Sequence, residues 1–140
     1  HGLNSDLGFS PEDRNENIRR IAEVASLFKD AGMITLSSFI SPYQEARDFA
    51  RERAGEDHFK EIYVKADVET CARRDPKGLY EQAINGEIDN FTGISAPYEE
   101  PENPDLVLDT RKLSVEECVE EVLELIGINI PVRETATSAE

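Results

Sequence analysis

The stretch FKEIYVKADVETCARR, residues 59–74, predicts a strand that leads directly into a helix. The strand covers residues 59–64, and the helix runs from Val68 to about Arg73. Asp67 is a suitable cap for this helix, because its carboxylate can accept hydrogen bonds from the free amides of the first turn. A strand and a helix in immediate succession indicate a fold in which helices cover a parallel sheet.

The same alternation extends toward the N-terminus. Ser10-Pro11 begins a helix with apolar residues at helical spacing, and Gly32 ends it. Residues 33–39, MITLSSF, are apolar and partly β-branched, so they predict a short buried parallel strand. A second helix follows from Ser41-Pro42 to about Arg53.

Residues 74–94, RDPKGLYEQAINGEIDNFTGI, combine cations, glycines and an aromatic residue within a short span. Arg74 and Lys77 can stabilise the negative charge of phosphate oxygens, and Gly78 and Gly86 let the backbone hinge. The stretch therefore predicts a lid that closes over a phosphorylated substrate. A helix–turn–helix with solvated charges is the alternative that these residues alone leave open.

Beyond this lid, residues 106–108 predict a third strand, and Ser114 caps a last helix. One side of that helix is predicted to be buried, through Val119, Val122, Leu123 and Ile126. The complete order is helix–strand–helix–strand–helix–lid–strand–helix. This order predicts an α/β fold, a parallel sheet with flanking helices.

The composition narrows the range of functions. The chain has 140 residues and a net charge of −15, so we expect one domain and no basic surface for a nucleic-acid backbone. An acidic protein that binds an anion must concentrate its few cations locally. Cys71 and Cys118 fall in helical patterns and are interpreted as buried free thiols. The sequence shows neither a membrane-spanning apolar run nor a signal peptide, and a cytoplasmic location is expected.

Candidate binding residues follow the predicted strands, because ligands of open parallel sheets bind beyond the carboxyl ends of the strands. Residues 40–43, 66–67 and 109–111 emerge there. Arg14 and Asn17 share one face at the start of the first helix, where they and the helix dipole can bind a phosphate or sulfate. A solvated charge and a surface amide are the alternative. The sequence contains neither metal-ligand spacing nor a G-x-x-x-x-G-K-[ST] phosphate loop.

Four segments together resemble the adenylylsulfate (APS) kinase family: GFSPEDRNENIRRIAEVASLFKDAG, SFISPY, ARRDPKGLYEQAINGEIDNFTGI and APYEEPENPDLVLDT. They occur in the family's order over about residues 1–127. The resemblance implies a P-loop kinase fold of the nucleoside-kinase type. It also implies transfer of the γ-phosphate of ATP to the 3′-hydroxyl of adenosine 5′-phosphosulfate, which gives PAPS, the activated sulfate donor of sulfate assimilation.

The resemblance also assigns site residues. Phe9 and Phe91 would stack on the two faces of the APS adenine, and Arg14 and Asn17 would bind its phosphosulfate. The residues implied for APS are Phe9, Arg14, Asn17, Ile40, Ser41, Lys77, Asn90 and Phe91, and those implied for the ATP adenine are Arg74, Thr110 and Leu113. Ser41 and Lys77 are the implied catalytic residues, Ser41 as a phosphoserine intermediate and Lys77 as a cation on the transferred group. Direct in-line transfer needs no such nucleophile.

One departure concerns the start of the chain. The family carries a P-loop and a D-G-D-N segment upstream of the residues that match His1-Gly2-Leu3-Asn4. We therefore expect residues 1–127 to be the C-terminal portion of an APS kinase domain, truncated at the N-terminus, and residues 128–140 to be a polar tail. The ligands of the Mg²⁺ that accompanies ATP would lie outside this chain, and the chain alone would be inactive. The strand that feeds the P-loop would lie between residues 33–39 and 59–64.

Two other functions stay open from the sequence. One is a non-catalytic, APS-kinase-like regulatory domain that binds PAPS or APS, and the other is a different small P-loop kinase. The paired aromatics Phe9 and Phe91 argue for a nucleotide substrate and against a sugar. ATP and APS are the implied partners, without nucleic acid or membrane. A homodimer and a fused or associated ATP sulfurylase are both compatible with the family.

Overall fold

The computed structural model of the protein describes residues 2–128. Within that range the helices and strands follow one another as α1 (Pro11–Asp30), α2 (Gln44–Ala54), β1 (Ile62–Lys65), α3 (Val68–Arg74), α4 (Leu79–Ile84), β2 (Leu106–Asp109) and α5 (Val115–Leu125). A single 3-10 turn, Glu56–His58, separates α2 from β1.

The sheet consists of β1 and β2, which pair in parallel from Ile62 with Leu106 to Lys65 with Asp109. The prediction of a parallel sheet is thus confirmed. The connection between the two strands contains α3, α4 and the predicted lid. Because parallel strands end at the same edge, the residues that follow Lys65 and Asp109 lie side by side.

Three predicted helix caps are confirmed. Ser10 Oγ accepts a hydrogen bond from the Asp13 amide at 3.2 Å, and Asp67 Oδ1 accepts one from the Thr70 amide at 2.7 Å. Ser114 forms a capping box with Glu117, in which each side chain bonds the backbone amide of the other. These local bonds place the start of each helix without help from distant parts of the chain.

Helix α1 packs against α2. Ile18 and Ala22 of α1 and Ala46 of α2 are buried. Ser26 is also buried, and its hydroxyl donates to the Arg53 carbonyl at 3.3 Å. The two helices therefore form a layer of their own beside the sheet.

The strand predicted at residues 33–39 is wrong for the described structure, in which this segment forms no strand. Ile34 is 66% exposed and Leu36 is 77% exposed. The physical reason is that a strand needs a neighbouring ladder of hydrogen bonds, and no other strand lies beside this segment within residues 2–128. The segment and β1 both line a cavity of about 1910 Å³.

The prediction that one side of α5 is buried is also wrong, because the side chains on that side are at most half-buried. Val119 is 51% exposed, while Val122, Leu123 and Ile126 are only half-buried. Helix α5 contacts β2, and a sheet of two strands offers only a narrow surface for a helix to cover. The predicted face is therefore at most half-buried in the described structure.

Two sequence predictions concern the limits of the chain. The polar tail predicted at 128–140 lies outside the described residues except for Ile128, and the domain boundary at 127 stays a prediction.

None of the helices described here combines the length and the apolar character needed to cross a membrane.

We expect the 140-residue chain by itself to unfold in a broad, weakly cooperative transition. No large side chain among the described residues is less than 2% exposed, and the free edge of β1 faces an open cavity. Such a core leaves little margin against the conformational entropy of the chain. Urea unfolding followed by circular dichroism measures this, with the protein from its complete coding sequence as the control. A sharp two-state transition of the monomeric chain would refute this prediction.

Candidate functional site

The predicted site residues fall around two cavities. The large cavity that residues 33–39 share with β1 is also lined by predicted APS residues, namely Phe9, Arg14, Ile40, Ser41, Lys77, Asn90 and Phe91. The smaller cavity, of about 290 Å³, is lined by Asp67, Thr70, Arg73, Arg74 and Arg111. Asn17, Thr110 and Leu113 line neither of them. The fold thus gathers most of the predicted APS residues around the large cavity, although they come from distant segments, and only Arg74 of the predicted ATP-adenine residues lines the smaller one.

Arg14 connects the start of α1 to the predicted lid. Its Nε donates to the Phe9 carbonyl at 3.1 Å, and its Nη2 donates to the Asn90 carbonyl at 2.7 Å. The guanidinium carbon lies 5.7 Å from the centre of the Phe9 ring. A guanidinium has five N–H groups, so three of those on Arg14 have no protein partner among residues 2–128. These three groups are free to bind an anion in the cavity.

Asn17, one turn along α1, is placed differently. Its Oδ1 atom is buried and has no hydrogen-bond partner in the described part of the chain. Leaving a buried polar atom unpaired costs about 1–3 kcal/mol. Asn17 is therefore a group with an unmet hydrogen bond, but its part in the same site as Arg14 stays a prediction.

Phe91 is held by a neighbour that the sequence analysis did not assign to the site. The Tyr80 ring of α4 meets the Phe91 ring edge to face, with 4.9 Å between the centres and 75° between the planes. The Phe91 amide donates to Ser95 Oγ at 2.9 Å. Burial, together with a hydrogen bond to Cys71, raises the pKa of Tyr80 to about 12, so the phenol stays neutral. The Tyr in the G-L-Y motif was the available signal for this contact.

Lys77 lies on a rigid turn between α3 and α4. The Asp75 carboxylate accepts hydrogen bonds from the amides of Leu79, Tyr80 and Glu81 at 2.9, 2.9 and 3.2 Å, which caps α4. Gly78 has a φ of 66°, a left-handed conformation that glycine adopts without strain. The D-P-K-G sequence therefore presents the exposed Lys77 side chain on a fixed backbone.

Ile40 and Ser41 line the large cavity immediately before α2. Ile40 is 61% exposed. Ser41 has a φ of 44°, which is uncommon for a residue other than glycine. Its carbonyl accepts a hydrogen bond from Arg47 Nη1 at 2.6 Å. Arg47 was not predicted as a site residue.

Arg74, which lines the smaller cavity, is hydrogen-bonded to Thr110, and the role of both residues at the ATP adenine stays a prediction. Arg74 Nη1 donates to Thr110 Oγ1 at 2.9 Å, and Nη2 donates to the Thr110 carbonyl at 2.6 Å. The Thr110 amide donates to the Lys65 carbonyl at 3.0 Å, which continues the β1–β2 pairing by one step. Leu113 lies on the same loop, where its amide donates to the Asp109 carbonyl.

Arg111 organises the carboxylates beside this cavity. Its Nε and Nη2 donate to the two oxygens of Asp109 at 2.9 Å each, and its Nη1 donates to Asp67 Oδ2 at 2.8 Å. This bidentate contact holds the pKa of Asp109 well below its usual value. The Thr70 amide, with further help from Arg111, lowers the pKa of Asp67 to about 2. Both carboxylates are therefore ionised at neutral pH.

Three cations of the two predicted sites differ from every other lysine and arginine in the described chain. Arg14, Arg74 and Lys77 have no carboxylate partner there, whereas each of the others has a carboxylate oxygen within 4.0 Å. In a protein with a net charge of −15, this is an unusual distribution. The uncompensated positive charge lies beside the two cavities.

A divalent metal ion does not fit the residues that the structure describes. Mg²⁺ requires several oxygen ligands around one point. No group of three or more histidine, cysteine, aspartate or glutamate residues in residues 2–128 is arranged to hold a metal ion.

We expect Arg111→Gln to raise the pKa of Asp109 more than that of Asp67, because the Thr70 amide still stabilises the Asp67 carboxylate. The two depressed pKa values stabilise the folded state above about pH 4, and this stabilisation is lost as the pH falls toward the folded-state values. Carboxyl chemical shifts, measured by NMR against pH in the complete protein, test this. Lys112→Gln is the control, since Lys112 lies 3.6 Å from Asp109 and contributes least to its pKa. Equal shifts of the two carboxyls would contradict the assignment.

Sequence comparisons identify relatives along most of this chain. The family model described as adenylylsulphate kinase matches residues 1–109. The adenylyl-sulfate kinase of Oceanobacillus iheyensis is 61% identical over 123 residues, which are 88% of this chain and 62% of the relative. That of Staphylococcus carnosus is 58% identical over 126 residues, 90% of this chain and 63% of the relative. The chain thus spans about 62% of the length of these curated relatives.

Comparisons of structure agree with those of sequence. The structure of the Mycobacterium tuberculosis APS kinase CysC in complex with AMPPNP and APS superimposes with a TM-score of 0.86 at 46% identity, over 91% of this chain and 74% of that one. A hexameric APS kinase from Thiobacillus denitrificans matches with a TM-score of 0.63 at 30% identity, over 90% of this chain and 20% of that one. These matches confirm the P-loop kinase type of α/β fold. With the family model matched over residues 1–109 and relatives about 60% identical, the chain belongs to the adenylylsulfate kinase family.

Proposed function

We propose that the protein phosphorylates adenosine 5′-phosphosulfate. The 3′-hydroxyl oxygen of APS forms a bond to the γ-phosphorus of ATP and loses its proton to the solvent. The bond from that phosphorus to the ADP oxygen breaks, and PAPS leaves with ADP as the second product. The observation that carries this proposal is the position of Arg14, Arg74 and Lys77, the cations without carboxylate partners in the described chain. Phosphoryl transfer depends on cations positioned around negatively charged oxygens.

The large cavity holds APS. Its adenine stacks between Phe9 and Phe91, and the edge-to-face contact with Tyr80 keeps the Phe91 ring in place. The free N–H groups of Arg14 bind the phosphosulfate. The family resemblance adds Asn17, one turn along the same helix, through its side-chain amide. Ile40 and Ser41 form the wall beside the acceptor. The names of the relatives favour this activity over a regulatory domain.

Lys77 and Arg74 have different roles in this proposal. Lys77 contacts APS and stabilises the charge of the transferred group, from the turn that Asp75 fixes. Arg74 and the loop from Thr110 to Leu113 flank the ATP adenine. ATP takes part as its Mg²⁺ complex, and we place the protein ligands of that ion outside residues 2–128. In-line transfer requires no phosphoserine at Ser41. The cytoplasmic location stays a prediction.

We expect the protein from its complete coding sequence to form PAPS and ADP from APS, ATP and Mg²⁺, in equal amounts. The 140-residue chain alone should form no PAPS, because it has no G-x-x-x-x-G-K-[ST] segment to hold the ATP phosphates. Chromatographic measurement of both products tests the two statements. Adenosine 5′-phosphate in place of APS is the control for use of the sulfate group. Absence of PAPS with the complete protein would overturn the proposed function.

We expect Arg14→Ala to lower kcat/KM for APS by about 10- to 150-fold, the value of one charge-assisted contact, and to leave the KM for ATP nearly unchanged. Steady-state kinetics with each substrate varied in turn measures the split. Arg19→Ala is the matched control, because Arg19 lies on the same helix and its ion pairs within residues 2–128 are with Glu16 and Glu23. Equal losses for both substrates would show that Arg14 has a structural role instead.

A further inference from the structure

Arg47 of α2 is buried and contacts four other residues. Its Nη1 donates to the Ser41 carbonyl at 2.6 Å, and its Nη2 donates to Gln44 Oε1 at 2.6 Å and to the Glu99 carbonyl at 2.8 Å. Its Nε lies 2.8 Å from Glu61 Oε1, an ionic contact that lacks the alignment of a hydrogen bond. The Arg47 side chain is only 7% exposed. One guanidinium therefore holds groups from three separate stretches of the chain.

The same stretches are joined by two further bonds. The Glu99 amide donates to the Pro42 carbonyl at 2.8 Å, and the Gln44 amide donates to Glu99 Oε2 at 2.6 Å. Residues 41–44 and Glu99 thus form a clamp with Arg47 at its centre. Glu99 lies in the segment that follows the lid, so the clamp connects that segment to the wall of the large cavity.

The clamp explains the backbone of Ser41. A residue other than glycine keeps a φ of 44° only where its surroundings impose it. Arg47 fixes the Ser41 carbonyl on one side of the turn, and Glu99 fixes the Pro42 carbonyl on the other. The orientation of the Ser41 peptide in the cavity wall follows from these two contacts.

We propose that Arg47 is a positioning residue for APS. Its guanidinium holds the carbonyls of Ser41 and Glu99 at a fixed separation and thereby sets the shape of the cavity wall beside the acceptor. The inference rests on the proposed function, because it concerns the substrate of that same site. It assigns to Arg47 a role in the use of one substrate, beyond its ion pair with Glu61.

Arg51 provides a control that distinguishes this positioning role from a general structural role. It lies one turn later on α2, and its Nη2 is 3.6 Å from Glu61 Oε2 and 3.0 Å from Asp105 Oδ2. Both arginines therefore connect α2 to the start of β1. Arg51 donates no hydrogen bond to Ser41 or to Glu99, so it is a matched control for the ion pairing alone.

The decisive variant is Arg47→Lys in the complete protein. Lysine keeps the positive charge beside Glu61, but a single ammonium cannot span the two carbonyls as the planar guanidinium does. We expect kcat/KM for APS to fall by about 10- to 100-fold, while the KM for ATP stays within about twofold of the wild-type value. Hydrogen exchange of the Gln44 and Glu99 amides, which the clamp protects, should become faster. Arg51→Lys should change neither quantity.

Each outcome decides the proposal. Equal losses for APS and ATP, or the same profile in Arg51→Lys, would overturn it in favour of a purely structural role. If the wild-type protein forms no PAPS, the proposed function fails and the role of Arg47 in APS use is overturned with it, whereas exchange of the two amides still reports whether Arg47 holds the clamp together. If Arg47→Lys does not fold, Gln44→Ala, which removes one acceptor of the guanidinium, replaces it. A smaller selective loss with APS would then support the proposal, and an unchanged kcat/KM for APS would overturn it.

Discussion

A buried ion pair between Arg47 and Glu61 joins the helical layer to the sheet. The two side chains are 7% and 10% exposed, and their charged atoms lie 2.8 Å apart. Because water is largely excluded, removing either partner would leave an uncompensated buried charge, which costs about 3–5 kcal/mol. The apolar core of the described chain is small, with Ile18, Ala22 and Leu108 among its members. The position of α2 against β1 therefore depends on paired charges as much as on apolar burial.

Ion pairs also fix both ends of the two strands. At the start of the strands, the Asp105 carboxylate accepts a hydrogen bond from the Glu61 amide at 2.8 Å and forms an ion pair with Arg51. At the other end, Arg111 joins Asp67 to Asp109. In a chain with a net charge of −15, the carboxylates neutralise the cations that the fold uses. Positive charge is left over beside the two cavities, where an anionic nucleotide can bind without displacing a carboxylate.

Elements whose signals are local could be predicted from the sequence. Ser10, Asp67 and Ser114 each cap a helix through bonds to amides within three residues, so neighbouring residues carry the whole signal. The parallel strands were predicted as well. Phe9 and Phe91, which the resemblance implies for the APS adenine, both line the large cavity, and their stacking on the adenine stays a prediction. Residues 33–39 were not predicted correctly, because an apolar run indicates a strand only when another strand is present to pair with it.

The sequence by itself determined the alternation of helices with the parallel strands β1 and β2, the family and the candidate residues, because short motifs carry the signal for each of these. Only the tertiary structure decided which cations are free to bind an anion. Arg14 and Arg19 lie on the same helix, yet Arg19 pairs with Glu16 while Arg14 reaches Asn90, 76 residues away. It also decided that Arg47 holds Ser41 and Glu99 together. Such contacts join residues far apart in the chain, and no local pattern encodes which distant carbonyl or carboxylate a long, flexible cation will meet.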